Sequence, residues 1–168
     1  MPSAVCDCCG VEIPDLPRAY AVPTPDVWDS PDRAGGDSHL LDELCVVQTP
    51  DGDRHFFIRG NIEIPVRGED APLVYTVWVS LSPANFERAV TRWQDPDRTE
   101  EPPYFGWLSN RLPGYPDTAQ VKTLVHTREV GLRPLVELEP TDHPLSVEQR
   151  EGIAAHRLLE IAAYARVR

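Results

Sequence analysis

The segment Cys6–Gly10, with the sequence CDCCG, carries the residue types best suited to chemistry in this chain. Cys6 and Cys9 form a CxxC pair followed by glycine, which is the half-site of a zinc knuckle. Two thiolates at this spacing reach one tetrahedral ion, and the glycine frees the turn so that backbone amides can face the sulfurs. A structural zinc needs four protein ligands, and the only cysteine outside the segment is Cys45. We therefore predict a zinc site formed by Cys6, Cys9, Cys45 and one further ligand, and the choice between Cys9 and Cys8 as the second ligand stays open.

Two other interpretations of the cysteines stay open. The thiols could be unmetallated, either free or packed, or the CxxC pair could be redox-active. A redox pair of the thioredoxin type follows a strand and opens a helix, whereas no strand is predicted before Cys6, and Pro14 follows soon after it. The amino terminus shows no basic and apolar leader, so we expect a cytoplasmic protein. In a reducing cytosol, metal binding or free thiols are favoured over disulfides.

Two arginines and one histidine are further candidate ligand-binding residues. Arg59 follows an apolar strand and could hold a carboxylate or phosphate in a bidentate fork, or pair instead with a sheet carboxylate such as Glu63. Arg133 and the turn containing Asp142 and His143 flank a later predicted strand. Asp142 could orient the imidazole of His143 for acid–base chemistry, although such a turn more often sets the start of the next helix.

A long irregular segment, residues 95–120, is rich in aromatic side chains. Long ordered loops are often functional, and aromatic and arginine side chains make interface hot spots. Alternatively, the aromatic side chains plug the open end of the sheet. The candidate partner-binding residues of this segment are Trp107, Asn110, Arg111, Tyr115 and Asp117.

Several enzyme signatures are missing from the sequence. It has no P-loop, no GxGxxG after a strand, no GxSxG elbow and no HExxH. Their absence favours a non-enzymatic protein without excluding an unfamiliar enzyme.

The elements that must position these residues follow from periodicity and turn signals. Gly60-Asn61 separates two apolar runs and suits a tight hairpin turn, and the run 73–81 (LVYTVWVSL), apolar on both faces, predicts a central strand. Ser82 followed by Pro83 predicts a helix start. A last helix is predicted from Ser146, with Gln149 completing a capping box and His156 opposite its apolar stripe. The predicted strands are 43–48, 54–59, 62–66, 73–81, 121–127 and 134–139.

These elements predict one α+β domain over residues 1–168, with a mostly antiparallel sheet, two main helices and long proline-rich ordered loops. Residues 1–38 are its Cys-rich knuckle and irregular arm, and residues 39–168 its core. The chain has 168 residues and a formal net charge of −11. Such a charge repels phosphate backbones and anionic membranes, so neither is an expected partner. No apolar run approaches the 18 residues of a membrane span.

Long strings of the sequence resemble a known family. In order along the chain they are CDCCG, ELCVV (43–47), FFIRGNIEIPV (56–66), VWVSLSPANFERA (77–89), PPYFGWLSNRLPGYPDT (102–118) and residues 121–153. They resemble an uncharacterised bacterial family catalogued as domain of unknown function 2199, over roughly the whole chain. The resemblance implies a bacterial cytosolic single domain in which CxxCG and a later cysteine recur as a set, and it implies no activity. Cys8 is a departure from that pattern.

Three functional hypotheses follow. The leading one is a non-enzymatic binding or regulatory domain with a structural zinc. The zinc ties the amino-terminal arm to the sheet through Cys45, and residues 102–118 contact a protein partner. The second is an immunity or antitoxin protein that neutralises a basic toxin by charge complementarity. The third is a zinc-dependent enzyme in which water takes the fourth position beside Arg59, Arg133 and His143. The oligomeric state is not determined by the sequence.

Overall fold

A computed structural model describes residues 4–30 and 37–166, which form ten strands and three α-helices. The strands are β1 (Ala4–Val5), β2 (Glu12–Ile13), β3 (Ala19–Ala21), β4 (His39–Leu40), β5 (Leu44–Gln48), β6 (Arg54–Ile64), β7 (Leu73–Leu81), β8 (Tyr104–Leu108), β9 (Lys122–His126) and β10 (Leu135–Leu138). The helices are α1 (Pro83–Thr91), α2 (Pro144–Glu151) and α3 (Arg157–Arg166). None of the helices within these ranges has the length and apolar character needed to cross a bilayer.

The central feature is a five-stranded barrel, where the sequence predicted a mostly antiparallel sheet. Strands β6 to β10 pair in order as an antiparallel meander, and β10 then pairs in parallel with β6 to close it. Closure occurs at Leu135 opposite Asn61, whose backbone N–H donates to the Pro134 carbonyl at 2.9 Å. Strands β3, β5 and β4 extend the sheet beyond the barrel. The α+β class is confirmed, but the simple antiparallel sheet is wrong, because the meander closes on itself through the parallel pairing of β10 with β6.

Strand β6 runs unbroken through the predicted hairpin turn at Gly60-Asn61, so that turn is wrong. Gly60 serves a close approach instead: a Cβ atom built on it would lie 2.6 Å from Val136 Cγ2 and 3.1 Å from the Pro134 carbonyl oxygen. A side chain at position 60 would therefore hold β10 away from β6. The glycine marks barrel closure rather than a chain reversal.

The predicted central strand is confirmed, since β7 is covered on both faces. Tyr75, Val77 and Val79 point into the main core. On the opposite face Trp78 packs in a second, smaller cluster that Val27 and Trp28 of the amino-terminal segment cover. Strand β7 therefore lies between the two clusters and packs against both.

Two further differences concern residues predicted to be irregular. Ala19–Ala21, placed in the arm, is a strand that pairs in parallel with β7. Tyr104–Leu108 is strand β8, with Tyr104, Gly106 and Leu108 buried and Phe105 and Trp107 exposed. This alternation is the pattern of a half-buried strand.

The carboxy-terminal segment forms two helices, where the sequence predicted one. Helix α2 is capped by His143, whose Nδ1 accepts the Leu145 N–H at 3.1 Å, and it ends at Gly152 with φ of 77°. Gln149 forms no capping box: its amide bonds to the edge of β10, accepting from Leu138 N and donating to the Val136 carbonyl. The amino-terminal start of α1 is as predicted, because Ser82 Oγ accepts the Asn85 N–H at 3.1 Å.

Candidate metal centre

Three cysteines and one histidine converge between the amino-terminal hairpin and the start of α3. The ligand atoms of Cys6, Cys8, Cys9 and His156 all lie within 4.8 Å of one another. His156 Nδ1 is 3.4 Å from Cys6 Sγ, 3.2 Å from Cys8 Sγ and 3.7 Å from Cys9 Sγ. The Cys6 and Cys8 sulfurs are 3.2 Å apart. This grouping, which we call the Cys3His cluster, has the donor set of a tetrahedral thiolate–imidazole site.

The hairpin of β1 and β2 positions the three thiols. Cys6 follows β1, its N–H donates to the Val11 carbonyl at 2.8 Å, and its carbonyl accepts the Gly10 N–H at 2.8 Å. Gly10 has a φ of 70°, a left-handed conformation that glycine adopts without strain. The turn buries Cys6 and leaves Cys8 and Cys9 exposed on the side that faces His156.

A break between α2 and α3 positions the histidine. Gly152 ends α2, and Ile153 then runs beside Val66 in a parallel bridge, with its N–H bonded to the Pro65 carbonyl at 2.8 Å. His156 is the last residue before α3, and its carbonyl accepts the Leu159 N–H. His156 was predicted on the surface opposite an apolar helical stripe; that prediction is wrong, because at Gly152 the chain leaves the helix on which the stripe was drawn.

The sulfur–nitrogen distances are close to those around a tetrahedral zinc ion. With Zn–S bonds of about 2.3 Å and Zn–N bonds of about 2.0–2.1 Å, ligand sulfurs lie about 3.8 Å apart and sulfur–nitrogen pairs about 3.5 Å apart. The three sulfur–nitrogen distances, 3.2 to 3.7 Å, span that value. The Cys6–Cys8 distance of 3.2 Å is shorter, so an ion would push these two sulfurs apart.

The close contact between the Cys6 and Cys8 thiols also shifts the pKa of each. The contact with Cys8 is the main factor that lowers the pKa of Cys6 to about 5, and His156 lowers it further while burial opposes the change. The same contact raises the pKa of Cys8 to about 11. One thiolate is therefore stabilised at Cys6 at neutral pH, and a bound cation would favour deprotonation of its neighbours.

Cys45, predicted as the third ligand, lies elsewhere. It is buried in the second core cluster with Val47, Phe57 and Trp78, on a strand that pairs with β6. Among the described residues, Cys8 and His156 lie beside Cys6 and Cys9, and Cys45 does not. The prediction failed because the linear spacing of cysteines carries no information on which strand face each one occupies.

The two arginines proposed as anion-binding residues make contacts within the protein. Arg59 donates to the backbone carbonyls of Asp42 at 3.3 Å and Val22 at 3.2 Å. Arg133 forms an ion pair with Glu43, with nitrogen–oxygen distances of 2.9 to 3.0 Å. Neither belongs to the Cys3His cluster. An anion at either guanidinium would compete with these contacts, and binding by them stays a prediction.

Asn110 and Tyr115 are likewise used inside the fold. Asn110 is fully buried, accepts the Trp78 N–H at 2.8 Å and donates to the Thr24 carbonyl at 2.9 Å. Asn110 thus holds the loop to β7 from a buried position, and a binding role for it stays a prediction. The Tyr115 hydroxyl donates to Glu148 Oε2 at 2.6 Å.

His143 and Trp107 have different surroundings. His143 caps α2, and its Nε2 lies 3.2 Å from the Pro116 carbonyl, so the interpretation of this turn as a helix start is confirmed. Trp107 is 37% exposed and packs edge-on against Phe105, which is 44% exposed, on the outer face of the barrel. Partner binding by Trp107 stays a prediction.

The family model described as "uncharacterized protein conserved in bacteria (DUF2199)" matches residues 5–153. The chain therefore belongs to this uncharacterised bacterial family. Neither the curated proteins nor the solved structures include a match. The matched segment contains the three cysteines of the cluster and ends three residues before His156. The fourth member of the cluster is thus assigned by the tertiary structure.

Proposed function

We propose that this member of an uncharacterised bacterial family is a non-enzymatic binding domain fastened by a structural Zn²⁺ held by Cys6, Cys8, Cys9 and His156. The observation that carries the proposal is the convergence of four ligand atoms within 4.8 Å. Two parts of the chain about 150 residues apart supply them. Such a convergence of thiols and imidazole is the arrangement of structural zinc sites.

The donor set favours zinc over other divalent ions. Thiolates are soft ligands that select zinc, copper(I) or iron–sulfur centres, and calcium and magnesium require oxygen ligands. A tetrahedral arrangement of three sulfurs and one imidazole nitrogen is a common structural zinc site. The Cys6 thiol, with its lowered pKa, offers the first thiolate at neutral pH.

The number of protein ligands supports a structural role. Catalytic zinc sites keep a coordination position open for water or substrate, whereas four protein ligands close the site. The Cys3His cluster supplies four. The arginines that the enzyme hypothesis placed beside the metal bond to Glu43 and to backbone carbonyls instead, so the enzyme hypothesis has little support.

The metal would connect the two ends of the described chain. Cys6, Cys8 and Cys9 belong to the hairpin of β1 and β2, and His156 directly precedes α3. A bound ion would thereby fix the amino-terminal hairpin and the start of α3 relative to the barrel. The immunity or antitoxin alternative depends on the negative charge alone and stays a prediction.

Metal analysis of four purified proteins tests the proposal. The untagged full chain and its variants C8S, H156A and C45A are prepared under reducing conditions, and bound metal is quantified by elemental mass spectrometry. We expect about one zinc per chain in the wild type and in C45A, and a large loss in C8S and H156A. C45A is the matched control, since it removes a thiol outside the cluster.

Cobalt substitution adds a spectroscopic test of the ligand set. Wild-type protein refolded with Co²⁺ should show the absorption of a tetrahedral thiolate complex, and C8S should alter it. Wild-type protein that binds no metal, or C45A that loses metal as fully as C8S does, would overturn the proposal.

A further inference from the structure

One edge of the eight-stranded sheet carries no further strand within residues 4–30 and 37–166. Strand β3 is the terminal strand and pairs only with β7 among the described elements. Val74 N donates to the Arg18 carbonyl and Val22 N donates to the Thr76 carbonyl, both at 2.8 Å. Backbone groups of successive strand residues point in opposite directions.

It follows that the backbone groups of Ala19 and Ala21 point away from β7. A strand edge with unpaired N–H and C=O groups is a template for another strand.

An apolar cavity lies beside this edge. Its volume is about 300 Å³, and it is lined by β3, Tyr75 of β7, Leu112 and Pro113, and Ile161, Tyr164 and Ala165 of α3. We call the open edge of β3 together with this cavity the β3–α3 groove. The volume is at the lower end of the range for ligand pockets, about 300–1,000 Å³, which suits one large side chain better than an extended cofactor.

Helix α3 forms a wall of the groove that is held in place by close packing. The ring of Tyr164 rests on Gly114, where an added Cβ would lie 2.4 Å from Tyr164 Cδ2. Gly114 has a φ of 82°, so the residue is constrained to glycine both by space and by conformation. The groove is therefore a preformed feature with a helix on one side and a strand edge on the other.

The charge at the rim of the groove is opposite to that of the protein as a whole. Arg166 directly follows Ala165, which lines the cavity. Arg166 and Arg18 both lower the pKa of the Tyr20 phenol, against the larger effect of burial, which raises it. Arg18 is neutralised by Glu69 at 2.6 Å, while Arg166 has no ion-pair partner among the described residues. The groove thus presents a positive group in a chain of net charge −11.

We propose that the β3–α3 groove binds an extended peptide segment of a partner protein, which adds as a strand to the edge of β3. One large apolar side chain of that segment enters the cavity, and a neighbouring carboxylate pairs with Arg166. Backbone pairing supplies affinity and the cavity supplies selectivity, as in other cases of strand addition. The inference rests on the proposed function in that it names the partner class of the binding domain.

A random 12-residue peptide library displayed on phage is the probe. Peptides enriched on the full-length wild-type protein are synthesised, and their dissociation constants are measured by fluorescence anisotropy. The key variant is A21P, which removes one N–H on the open edge and none of the bonds to β7; proline is tolerated in this position of edge strands. A163F on α3 is the control, because Ala163 is exposed and does not line the cavity.

Two further variants test the cavity and the charge. A165F fills the cavity without touching the backbone edge, and R166Q removes the positive group. We expect a five- to tenfold weaker binding for A21P, a larger loss for A165F, weaker binding of acidic peptides to R166Q, and a change below about twofold for A163F. A165F also keeps the test valid if A21P does not fold, which circular dichroism shows directly.

Three results would overturn the proposal that the groove binds a partner peptide. They are the absence of any enriched peptide, peptides that bind A21P and A165F as tightly as the wild type, and a wild-type dimer in sedimentation experiments that A21P dissociates. The last result would show that a second copy of the chain occupies the edge. Zinc content is measured on every variant, so failure of the groove with zinc retained is distinguished from failure of the metal site. A wild-type protein that binds peptide but contains no metal would support the groove proposal and contradict the zinc proposal.

Discussion

Replacing His156 by alanine should detach the start of α3 from the amino-terminal hairpin while the three thiols stay in place. His156 is the one member of the Cys3His cluster that comes from the carboxy-terminal part of the chain. It follows Cys9 by 147 residues. A metal ion bound by all four ligands therefore closes a loop that contains most of the protein, and H156A reopens that loop.

The size of the effect follows from the length of the loop. A cross-link that closes a loop of 147 residues removes conformational freedom from the unfolded chain worth about 5 kcal/mol in the chain-entropy model, and links across long loops gain the most. For a chain of 168 residues, each kcal/mol shifts Tm by about 2–4 °C. Removal of the metal from the wild type should therefore lower Tm by about 10–20 °C.

Thermal unfolding followed by circular dichroism, with and without a strong zinc chelator in reducing buffer, measures this shift. We expect H156A to unfold near the temperature of the chelated wild type and to respond to chelator by no more than a few degrees. H126A is the matched control. His126 lies outside the cluster and 3.6 Å from Glu137, so H126A should keep the full response to the chelator.

The reasoning would be refuted by an H156A protein that keeps about one zinc per chain and the same chelator-induced shift as the wild type. That result would mean that the hairpin thiols bind the ion without His156 and that no long loop is closed. A wild-type shift of only one or two degrees with full metal loss would refute the loop-closure estimate itself.

Two further predictions concern the barrel. The Glu101 side chain is 1% exposed, and Arg88 first and then Arg92 lower its pKa. The pKa of Glu101 in the folded protein is therefore below the unfolded value near 4.5. The ionised Glu101 stabilises the fold above that pH, and this contribution is lost as the pH falls below it. In chelated protein, the free energy of unfolding from urea titrations should fall less between about pH 5 and pH 3 in E101Q than in the wild type, and parallel curves would contradict this. G60A should lower the free energy of unfolding by about 1–3 kcal/mol, because its Cβ would meet Val136 Cγ2 at 2.6 Å. Urea titration checks this, with zinc content unchanged, and a loss below about 0.5 kcal/mol would show that β10 can shift away at little cost.

The elements with strong local signals were predicted from the sequence, and those set by pairing were not. Strand β7 and the cap of α1 depend on residue type and periodicity within a few positions, and both are confirmed. Gly60 is an equally strong local feature, but a glycine at this position is compatible with either a tight turn or the close approach of another strand. Only the position of Val136 on β10, 76 positions later in the sequence, decides between them.

The candidate site divides in the same way. The sequence by itself determined the CxxC-Gly arrangement of residues 6–10, from which a metal half-site is predicted, because the ligands and the turn are local. Tertiary structure alone decided that Cys8 and His156 lie beside Cys6 and Cys9 and that Cys45 is buried elsewhere. The fourth member of the cluster, more than 140 residues away, is placed by the break at Gly152 and by the bridge of Ile153 to the sheet. These contacts depend on how the barrel closes, which no local pattern of residues specifies.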